Sequence, residues 1–284
     1  MKLSKQDLQA LRATASDAAR VAGDYIAQAR PEQIDWKPGI TSRASQIVTE
    51  VDRRAEELIV SRLSPAMASF DIGLLTEERE DDSSRHDKDH FWCIDPLDGT
   101  LPFVNGESGY AVSIALVSKS GEPLVGAIYI PARGRLYGAA RGLGVIADDT
   151  PWTRPQPSSD DLLVCVDGSF EGREQLIAGL DGRGYGRARV RTFGGAVVHA
   201  CHVLEHPPAC YLKLPKPEAG GGSIWDFAAS ASLFTEAGAI AADIHGQPLD
   251  LNRADSTFMN HRGVIYATDG DLARALRDWS AALL

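Results

Sequence analysis

Two carboxylates lie three residues apart at the end of an apolar run in this 284-residue sequence. The run and its continuation read Phe91-Trp92-Cys93-Ile94-Asp95-Pro96-Leu97-Asp98-Gly99-Thr100. Because proline fixes φ and glycine permits a tight turn, the backbone after Asp95 is predicted to bend sharply and to aim both carboxylates and a backbone carbonyl at one point. Mg²⁺ prefers such an oxygen shell, which phosphate and water complete. The stretch therefore predicts a magnesium site, beside which the amides of Gly99 and Thr100 are free to hold a phosphate oxygen.

A surface turn is the ordinary alternative for this stretch, because Asp-Pro and Asp-Gly pairs are common in turns. Either pair alone would favour that interpretation. All six residues from 95 to 100 follow directly on a run with the composition of a buried strand, and this combination favours a functional site.

Further acids at three places along the chain are candidates for the same site. Asp52 follows the apolar residues 47–51, Glu77 and Glu78 follow the apolar residues 72–75, and Asp226 follows a glycine run. An acid in the first turn of a helix is the ordinary alternative for the first and the last of these. A solvated acidic loop is the alternative for the middle pair, because acidic residues continue from 80 to 82.

Three histidines offer a competing metal site. His199, His202 and His206 are spaced to share a helix face, as zinc ligands can. Two prolines follow immediately, and no further ligand is evident except Cys201, which points elsewhere on the helix. The sequence therefore does not predict a zinc site.

The elements that must position these residues begin with two helices. Ser4 is predicted to cap the first, whose apolar stripe runs from Leu8 to Ala29 and which Pro31 ends. Residues 31–45 are polar and predict a loop. A second helix is predicted over 50–63, with Pro65 closing it.

Short apolar runs separated by Gly, Pro and Ser predict a series of strands after the second helix. These strands cover residues 72–75, 91–94, 111–117, 124–130 and 136–140. Later strands are predicted at 162–166, 189–192, 239–243 and 264–267, with helices at 172–180, 195–205, 224–237 and from 271. The Pro- and Ser-rich stretch 150–161 suggests a boundary. We therefore expect an N-terminal α+β half, 1–155, with most metal ligands, and a C-terminal α/β half, 156–284, with Asp226 and the substrate-contacting loops.

Composition excludes several classes of partner. The net charge is −10 with no basic stripe, so a nucleic-acid polymer is not expected as a ligand. The four cysteines form no C-x-x-C pair and are expected to be reduced core thiols. The polar N-terminus lacks the apolar region of a signal peptide, and no apolar window is long enough to span a bilayer. We expect a soluble, cytoplasmic protein.

Taken in order, these motifs resemble the inositol monophosphatase superfamily of lithium-sensitive, magnesium-dependent phosphatases. The matching segments are residues 47–52, Glu77-Glu78, residues 95–100, Ile224-Trp225-Asp226 with Ala228-Ala229, Glu236-Ala237-Gly238 and Gly246-Gln247-Pro248-Leu249. They cover nearly the whole chain in the correct order. The resemblance implies an α/β (α+β) fold, a layered αβαβα sandwich of the sugar-phosphatase type with mixed, largely antiparallel sheets. It also implies a homodimer that hydrolyses a phosphate monoester by metal-activated water.

The resemblance implies a role for each matching residue. Asp95 would bridge two Mg²⁺ ions; Glu77 and the Leu97 carbonyl would complete the first site. Asp98 and Asp226 would hold the second ion with Asp95, and a third, weaker ion is often placed near Glu77. The implied catalytic residues are Asp52 and Thr100, which would orient and help deprotonate the attacking water, together with Glu77. The implied substrate contacts are Gly99, Thr100, Gly194, Gly195 and Ala196.

The substrate is left open by departures from the family pattern. Residues 191–197 match the substrate-facing segment loosely, and Glu218 does not align well with the acidic residue that usually contacts the sugar. Inositol monophosphate is the leading interpretation, as the commonest family activity. The alternative is 3′-phosphoadenosine 5′-phosphate, because residues 103–107 resemble the bisphosphate nucleotidases, and Lys213 or Lys216 could meet a second phosphate. Fructose 1,6-bisphosphate is a third candidate.

Two other classes of protein compete with this reading. Phosphatases that form an aspartyl-phosphate carry D-x-D-G-T, but the spacing here is D-x-x-D, one residue longer. A non-catalytic protein that binds metal or phosphate is the other alternative. All the acidic and hydroxyl positions expected for catalysis are intact, which favours an enzyme.

Overall fold

The computed structural model describes residues 2–30, 34–36, 47–157 and 160–283. Its helices are α1 (Lys5–Gln28), α2 (Glu50–Phe70), α3 (Ser84–Asp87), α4 (Thr100–Val104), α5 (Arg173–Leu180), α6 (Ala196–Glu205), α7 (Ile224–Glu236) and α8 (Gly270–Leu283), with a 3-10 turn at Pro131–Arg133. Its strands are β1 (Ile34–Trp36), β2 (Ile47–Thr49), β3 (Gly73–Thr76), β4 (His90–Asp98), β5 (Ala111–Ser118), β6 (Pro123–Ile130), β7 (Arg135–Ala140), β8 (Val145–Ala147), β9 (Thr150–Trp152), β10 (Leu162–Cys165), β11 (Ala188–Arg191), β12 (Ala209–Lys213), β13 (Ile240–Ala242) and β14 (Val264–Ala267).

Two mixed sheets organise these strands. The larger sheet has the order β3-β4-β5-β6-β7-β8-β9, in which β3 and β4 are parallel and all other neighbours antiparallel. The smaller sheet has the order β11-β10-β12-β14-β13; β10 runs parallel to both of its neighbours, and β14 antiparallel to both of its own. Strands β1 and β2 form a separate two-stranded antiparallel pair. The predicted mixture of parallel and antiparallel pairing is confirmed.

Three buried apolar clusters show the layering. Leu11 of α1 and Ile59 of α2 pack with Trp92 on the outer face of the larger sheet. Helices α6 and α7 lie between the sheets, where one cluster joins residues of both. Leu176 of α5 and Leu276 of α8 cover the outer face of the smaller sheet. This arrangement is the predicted αβαβα sandwich.

Helix α7 ties the two halves of the chain together. It belongs to the second half by sequence, yet it contacts strands β4 to β7 of the larger sheet. Gly126 permits this approach, because a Cβ on that residue would lie 2.4 Å from the Ala229 carbonyl oxygen of α7. Strand β9 closes the larger sheet, and residues 153–157 that follow have no regular structure. Division into halves at 155 stays a prediction.

One predicted helix end is wrong, and one strand was not predicted. Pro65 does not close the second helix, which continues to Phe70 and ends where Asp71 takes a left-handed conformation. The ring removes the N–H that would bond to the Ser61 carbonyl, but both residues are exposed, so water can take that carbonyl. Strand β1 lies inside the segment predicted to be a loop, and the remainder of 31–45 falls outside the described residues.

Two other expectations bear on the protein's class. All four cysteines are buried and unpaired, as the reduced core thiols that the sequence predicts. None of the helices in the described ranges combines the length and the apolar character needed to cross a bilayer.

Candidate metal and phosphate site

The site begins where β4 ends. Every residue of this strand is buried, and its pairing with β5 shifts register between Asp95 and Asp98. Inside this irregular segment the Leu97 amide donates to Asp95 Oδ1 over 2.9 Å. The bend that the sequence predicts after Asp95 is therefore present, and it leaves both carboxylates buried at the strand end.

Three aspartates from distant parts of the chain converge here. Ligand oxygens of Asp95, Asp98 and Asp226 all lie within 4.8 Å of one another. Asp226 comes from the first turn of α7, so the larger sheet and the helix layer both contribute. The structure therefore brings together three of the acids that the family resemblance implies as ligands, and their role in binding a metal stays a prediction.

Helix N-termini hold two of the acids in place. Asp52 on α2 accepts from the Thr49 amide at 2.8 Å and from the Thr49 hydroxyl at 2.6 Å, both at Oδ2. Asp226 on α7 accepts from the Ser223 amide at 2.9 Å, also at Oδ2. Both are third-position acids of capping boxes, where the helix end favours a carboxylate. For Asp52 and Asp226 the sequence left two interpretations open, an acid that caps a helix or an acid of the metal site. In the structure each of these residues caps its helix and also lies at the candidate site.

A third helix N-terminus holds Asp98. The amides of Ala196 and Val197 at the start of α6 donate to its two carboxylate oxygens, over 3.1 and 2.8 Å. Gly195 must be small, because a Cβ there would lie 2.2 Å from Asp98 Oδ2. Its own amide donates to the Gly109 carbonyl. The amides of Gly195 and Ala196, two of the residues predicted to contact substrate, are thus already bonded. A substrate contact by Gly194, Gly195 or Ala196 stays a prediction, and at the latter two residues it would use groups other than the amide.

Thr100 links Asp52 of α2 to the turn that carries Asp95 and Asp98. Its hydroxyl can donate to Asp52 Oδ1, 3.0 Å away, and to the Leu97 carbonyl, 3.2 Å away. Gly99 has φ 88°, and a Cβ on it would meet the Gly109 carbonyl oxygen at 2.5 Å. Helix α4 begins at Thr100, as the sequence suggests for a segment that holds phosphate. The phosphate role itself stays a prediction.

Glu77 reaches the same place from the neighbouring strand. It follows directly on β3, and its amide donates to the Ile94 carbonyl of β4, which continues the parallel pairing. Its charge raises the pKa of Asp95, after the larger effect of burial. It also raises the pKa of Asp52, again after burial. Glu77 is therefore near enough to act on both aspartates by charge, but it is not one of the three residues whose ligand atoms lie within 4.8 Å of one another, so its role as a ligand stays a prediction. Asp81, by contrast, pairs with Arg85.

The carboxylates repel one another strongly in the absence of a cation. Burial and then Asp226 raise the pKa of Asp98 well above its ordinary range. Burial raises the pKa of Asp226 to about 6, with Lys213 opposing and Glu77 assisting. Burial raises the pKa of Asp52 to about 6 as well. A buried set of carboxylates that resist ionisation together fits a divalent cation, and oxygen-only donors suit Mg²⁺.

This repulsion predicts a pH-dependent response to Mg²⁺. Asp52 and Asp226 hold protons between pH 3.8 and about 6 that the unfolded chain has lost, so their contribution to the stability of the metal-free protein falls as pH rises through that window. Mg²⁺ must displace those protons. We expect Mg²⁺ to raise the melting temperature little near pH 5 and by several degrees near pH 7.5. Differential scanning fluorimetry across this range measures the rise; an equal rise at every pH would contradict the prediction.

A partly buried ion pair that the sequence does not predict lies beside the cluster. Lys213, at the end of β12, lies 3.1 Å from Asp167 Oδ2, and the Tyr211 hydroxyl donates to Asp167 Oδ1 over 2.9 Å. Burial opposes the charge of Lys213, but Asp167 and then Asp226 raise its pKa. Asp167 lies just past β10, which is parallel to β12, so the carboxyl ends of both strands meet at this edge. The pairing of Asp167 with Lys213 could be predicted only by knowing that β10 and β12 are parallel neighbours, which the sequence does not show.

Other residues singled out in this region lie apart. Lys216 packs over Gly221 of the glycine run, with Cε 3.0 Å from where a Cβ would be. Glu218 is exposed. Neither is among the groups that contact the three aspartates.

The histidines divide between two surroundings. His199 is buried and its Nε2 accepts from the Phe193 amide over 2.8 Å. His202 and His206 instead lie with Glu205, a residue that the sequence analysis did not consider, and their ligand atoms are within 4.8 Å of one another. Arg133 donates to both Glu205 oxygens, at 2.8 and 2.9 Å. Glu205 is thus already neutralised by a cation of the chain.

Comparison with known sequences extends these findings to the whole chain. A sequence model of the inositol monophosphatase family matches residues 7–280. The chain is 30% identical over 252 residues to the "Nus factor SuhB" of Vibrio cholerae, which covers 87% of this chain and 90% of that protein. It is 32% identical over 213 residues to an inositol-1-monophosphatase of Mesorhizobium japonicum, covering 70% and 73%. It is 31% identical over 254 residues to a histidinol-phosphatase of Chlorobaculum parvum, covering 84% and 92%.

Comparison with solved structures agrees. The structure of an IMPase from Thermotoga maritima superposes with a TM-score of 0.74 at 21% identity, covering 94% of this chain and 95% of that one. At this level of identity the likeness shows the shared fold.

Proposed function

Because the chain belongs to the inositol monophosphatase family, we propose that it is a Mg²⁺-dependent phosphomonoesterase acting on a small soluble phosphate ester. The observation that carries this proposal is the convergence of Asp95, Asp98 and Asp226 beside the hydrogen-bonded pair of Asp52 and Thr100. Such a set supplies oxygen ligands and a proton acceptor in one region of the fold.

The donor set assigns residues to two cations. Glu77, Asp95 and the Leu97 carbonyl would hold one Mg²⁺, and Asp95, Asp98 and Asp226 would hold the other. A third, weaker ion would sit near Glu77. Bound divalent cations lower the pKa of water and offset the charge on a transferring phosphoryl group.

The chain's own groups would then manage the proton and the phosphate. The Thr100 hydroxyl donates to Asp52 Oδ1, so a proton taken from the attacking water by Thr100 Oγ1 has an immediate acceptor. Burial raises the pKa of Asp52 to about 6, which suits an acceptor near neutral pH. The amides of Gly99 and Thr100, where α4 begins, would hold phosphate oxygens.

We propose inositol monophosphate as the leading substrate, in line with the family and with the Mesorhizobium relative named for that activity. A second candidate is 3′-phosphoadenosine 5′-phosphate. Lys213 favours it, because this cation lies at the edge of the cluster and its charge acts on Asp226 and Asp98. Fructose 1,6-bisphosphate, and histidinol phosphate after the Chlorobaculum relative, complete the set worth testing.

The deciding experiment is phosphate release from these four esters with Mg²⁺, with and without Li⁺. We expect one ester to be hydrolysed clearly faster than the rest, no release after chelation, and inhibition by Li⁺. Acid quenching should trap no phospho-aspartate at Asp95, since water attacks directly. Tight Mg²⁺ binding without hydrolysis of any ester would instead indicate a non-catalytic binding protein.

The family resemblance also leads us to propose a homodimer in the cytoplasm. Light scattering coupled to gel filtration would report the mass in solution, and a monomer would overturn the dimer. The net charge of −10 argues against nucleic-acid polymer as a ligand, and a gel-shift assay at low salt tests this.

A further inference from the structure

A buried carboxylate outside the proposed ligand set clamps the segment that carries Glu77. Glu56 lies on α2, four residues after Asp52, and only 2% of it is exposed. It accepts from the Thr76 hydroxyl at 2.5 Å, from the Glu78 amide at 3.1 Å and from Arg79 Nε through an ion pair. One side chain therefore binds the residues before and after Glu77.

This clamp gives the Glu77 segment an anchor of a different kind from the other acids. Asp52 and Asp226 are held by capping boxes, and Asp98 by the amides of α6. Glu77 follows a strand end instead, where its own amide continues the pairing with β4. The negative charge of Glu77 raises the pKa of Asp95 and of Asp52, so the Glu77 carboxylate and these two aspartates repel one another. A segment under that repulsion needs fixed attachment on both sides to present its carboxylate to a cation.

We propose that Glu56 is a positioning residue: by fixing Thr76, Glu78 and Arg79, it holds the Glu77 carboxylate where a divalent cation binds. Because Glu56 and Asp52 share one face of α2, one turn apart, the same helix also sets the spacing between Glu77 and Asp52. The inference rests on the proposed function, since the cation is the one that function requires. Outer groups that orient metal ligands typically change metal affinity by about 10- to 100-fold when they are removed.

The first test is Glu56→Gln, which keeps the size of the side chain and weakens the grip on Arg79. We expect the half-saturating Mg²⁺ concentration to rise about tenfold, with kcat at saturating Mg²⁺ within about threefold of wild type. The Mg²⁺-induced rise in melting temperature should shrink in parallel. That second readout does not depend on turnover.

Arg79→Met separates positioning from simple charge. Removing a negative charge in Glu56→Gln weakens cation binding by electrostatics as well as by loss of the clamp. Removing the positive charge of Arg79 should tighten cation binding by electrostatics alone, whereas loss of the clamp should weaken it. We expect weaker Mg²⁺ binding, by about threefold. Arg79 is 46% exposed on its side chain, so this variant is expected to fold even if Glu56→Gln does not.

Asp243→Asn is the matched control. Asp243 is also buried and accepts from the amides of His245 and Gln247, both at 2.8 Å, while Arg262 Nε lies 2.8 Å from it. It follows β13, at the far edge of the smaller sheet from which none of the proposed ligands comes. We expect a lower melting temperature but an unchanged Mg²⁺ requirement.

The possible results distinguish failure of the Glu56 positioning role from failure of the proposed Mg²⁺-dependent activity. Unchanged Mg²⁺ affinity in Glu56→Gln, or tighter binding in Arg79→Met, would overturn the positioning role while the wild-type enzyme remained active. A wild-type protein that neither gains stability from Mg²⁺ nor releases phosphate would overturn the proposed function, and this inference with it. Weaker Mg²⁺ binding in Glu56→Gln and Arg79→Met, with unchanged Mg²⁺ binding in Asp243→Asn, would support the positioning role.

Discussion

Asp95→Asn is expected to reduce phosphate release by at least about 1,000-fold while the protein still folds. Asp95 is 1% exposed and is the residue through which both proposed cation sites are joined. An amide supplies one neutral oxygen where a carboxylate supplies two charged ones, so neither site keeps a bridging ligand. A loss of that size corresponds to about 4 kcal/mol of transition-state stabilisation.

The metal-free protein should not suffer from this substitution. Removing one charge from a set of mutually repelling carboxylates relieves repulsion, so the melting temperature in EDTA should stay the same or rise. In Mg²⁺ the stabilisation seen for wild type should largely disappear. Initial rates and melting curves with and without Mg²⁺ measure both effects. A rate near that of wild type would refute the proposed site.

Gly195→Ala is expected to reduce phosphate release by about 100-fold or more. Gly195 has φ −69°, an ordinary value for alanine, so the backbone does not oppose the change. The added methyl group would lie 2.2 Å from Asp98 Oδ2 and 2.5 Å from its Cγ. Asp98 must therefore move away from the α6 amides and from the other aspartates. Catalytic constellations tolerate displacements of only about 0.5 Å before they lose function.

The matched control for this glycine is Gly270→Ala. Gly270 begins α8, and a Cβ there meets no atom within 4 Å. We expect that variant to keep the wild-type rate and Mg²⁺ requirement. If Gly195→Ala also kept both, the position of Asp98 against α6 would not matter to the reaction, and the assignment of Asp98 as a ligand would be wrong.

Local signals were enough to predict most of the elements. The apolar runs that predict β3 to β7 are bounded by Gly, Pro and Ser, and each appears in the structure within a residue or two, except that β4 continues through the carboxylates to Asp98. Pro65 was misread because its effect depends on exposure, which the sequence does not display. Strand β1 was missed because its three residues pair with β2, a partner eleven residues later.

Within the candidate site, residues that are neighbours in sequence could be predicted from the sequence, whereas residues whose partners lie far along the chain could not. Asp95 and Asp98 share one bend, so their residue types and spacing alone predicted a cation site. Asp52 and Asp226 each read equally well as capping acids, and only the family resemblance joined them to the others. Asp167 and Glu56 were missed because their partners come from other elements. Glu56 carried one usable signal, since it lies four residues after Asp52 and hence on the same face of a predicted helix.

The position of α7 between the sheets has a practical consequence. It contributes Asp226 to a cluster whose other acids precede residue 155, and it covers one face of the larger sheet. A chain cleaved within the largely exposed residues 153–157 would yield two fragments, neither of which contains all the residues of the proposed metal site. If the proposed activity holds, such fragments fused to two proteins that associate would regain hydrolysis only when they are brought together. The chain would then serve as a scaffold for a split reporter of protein–protein association.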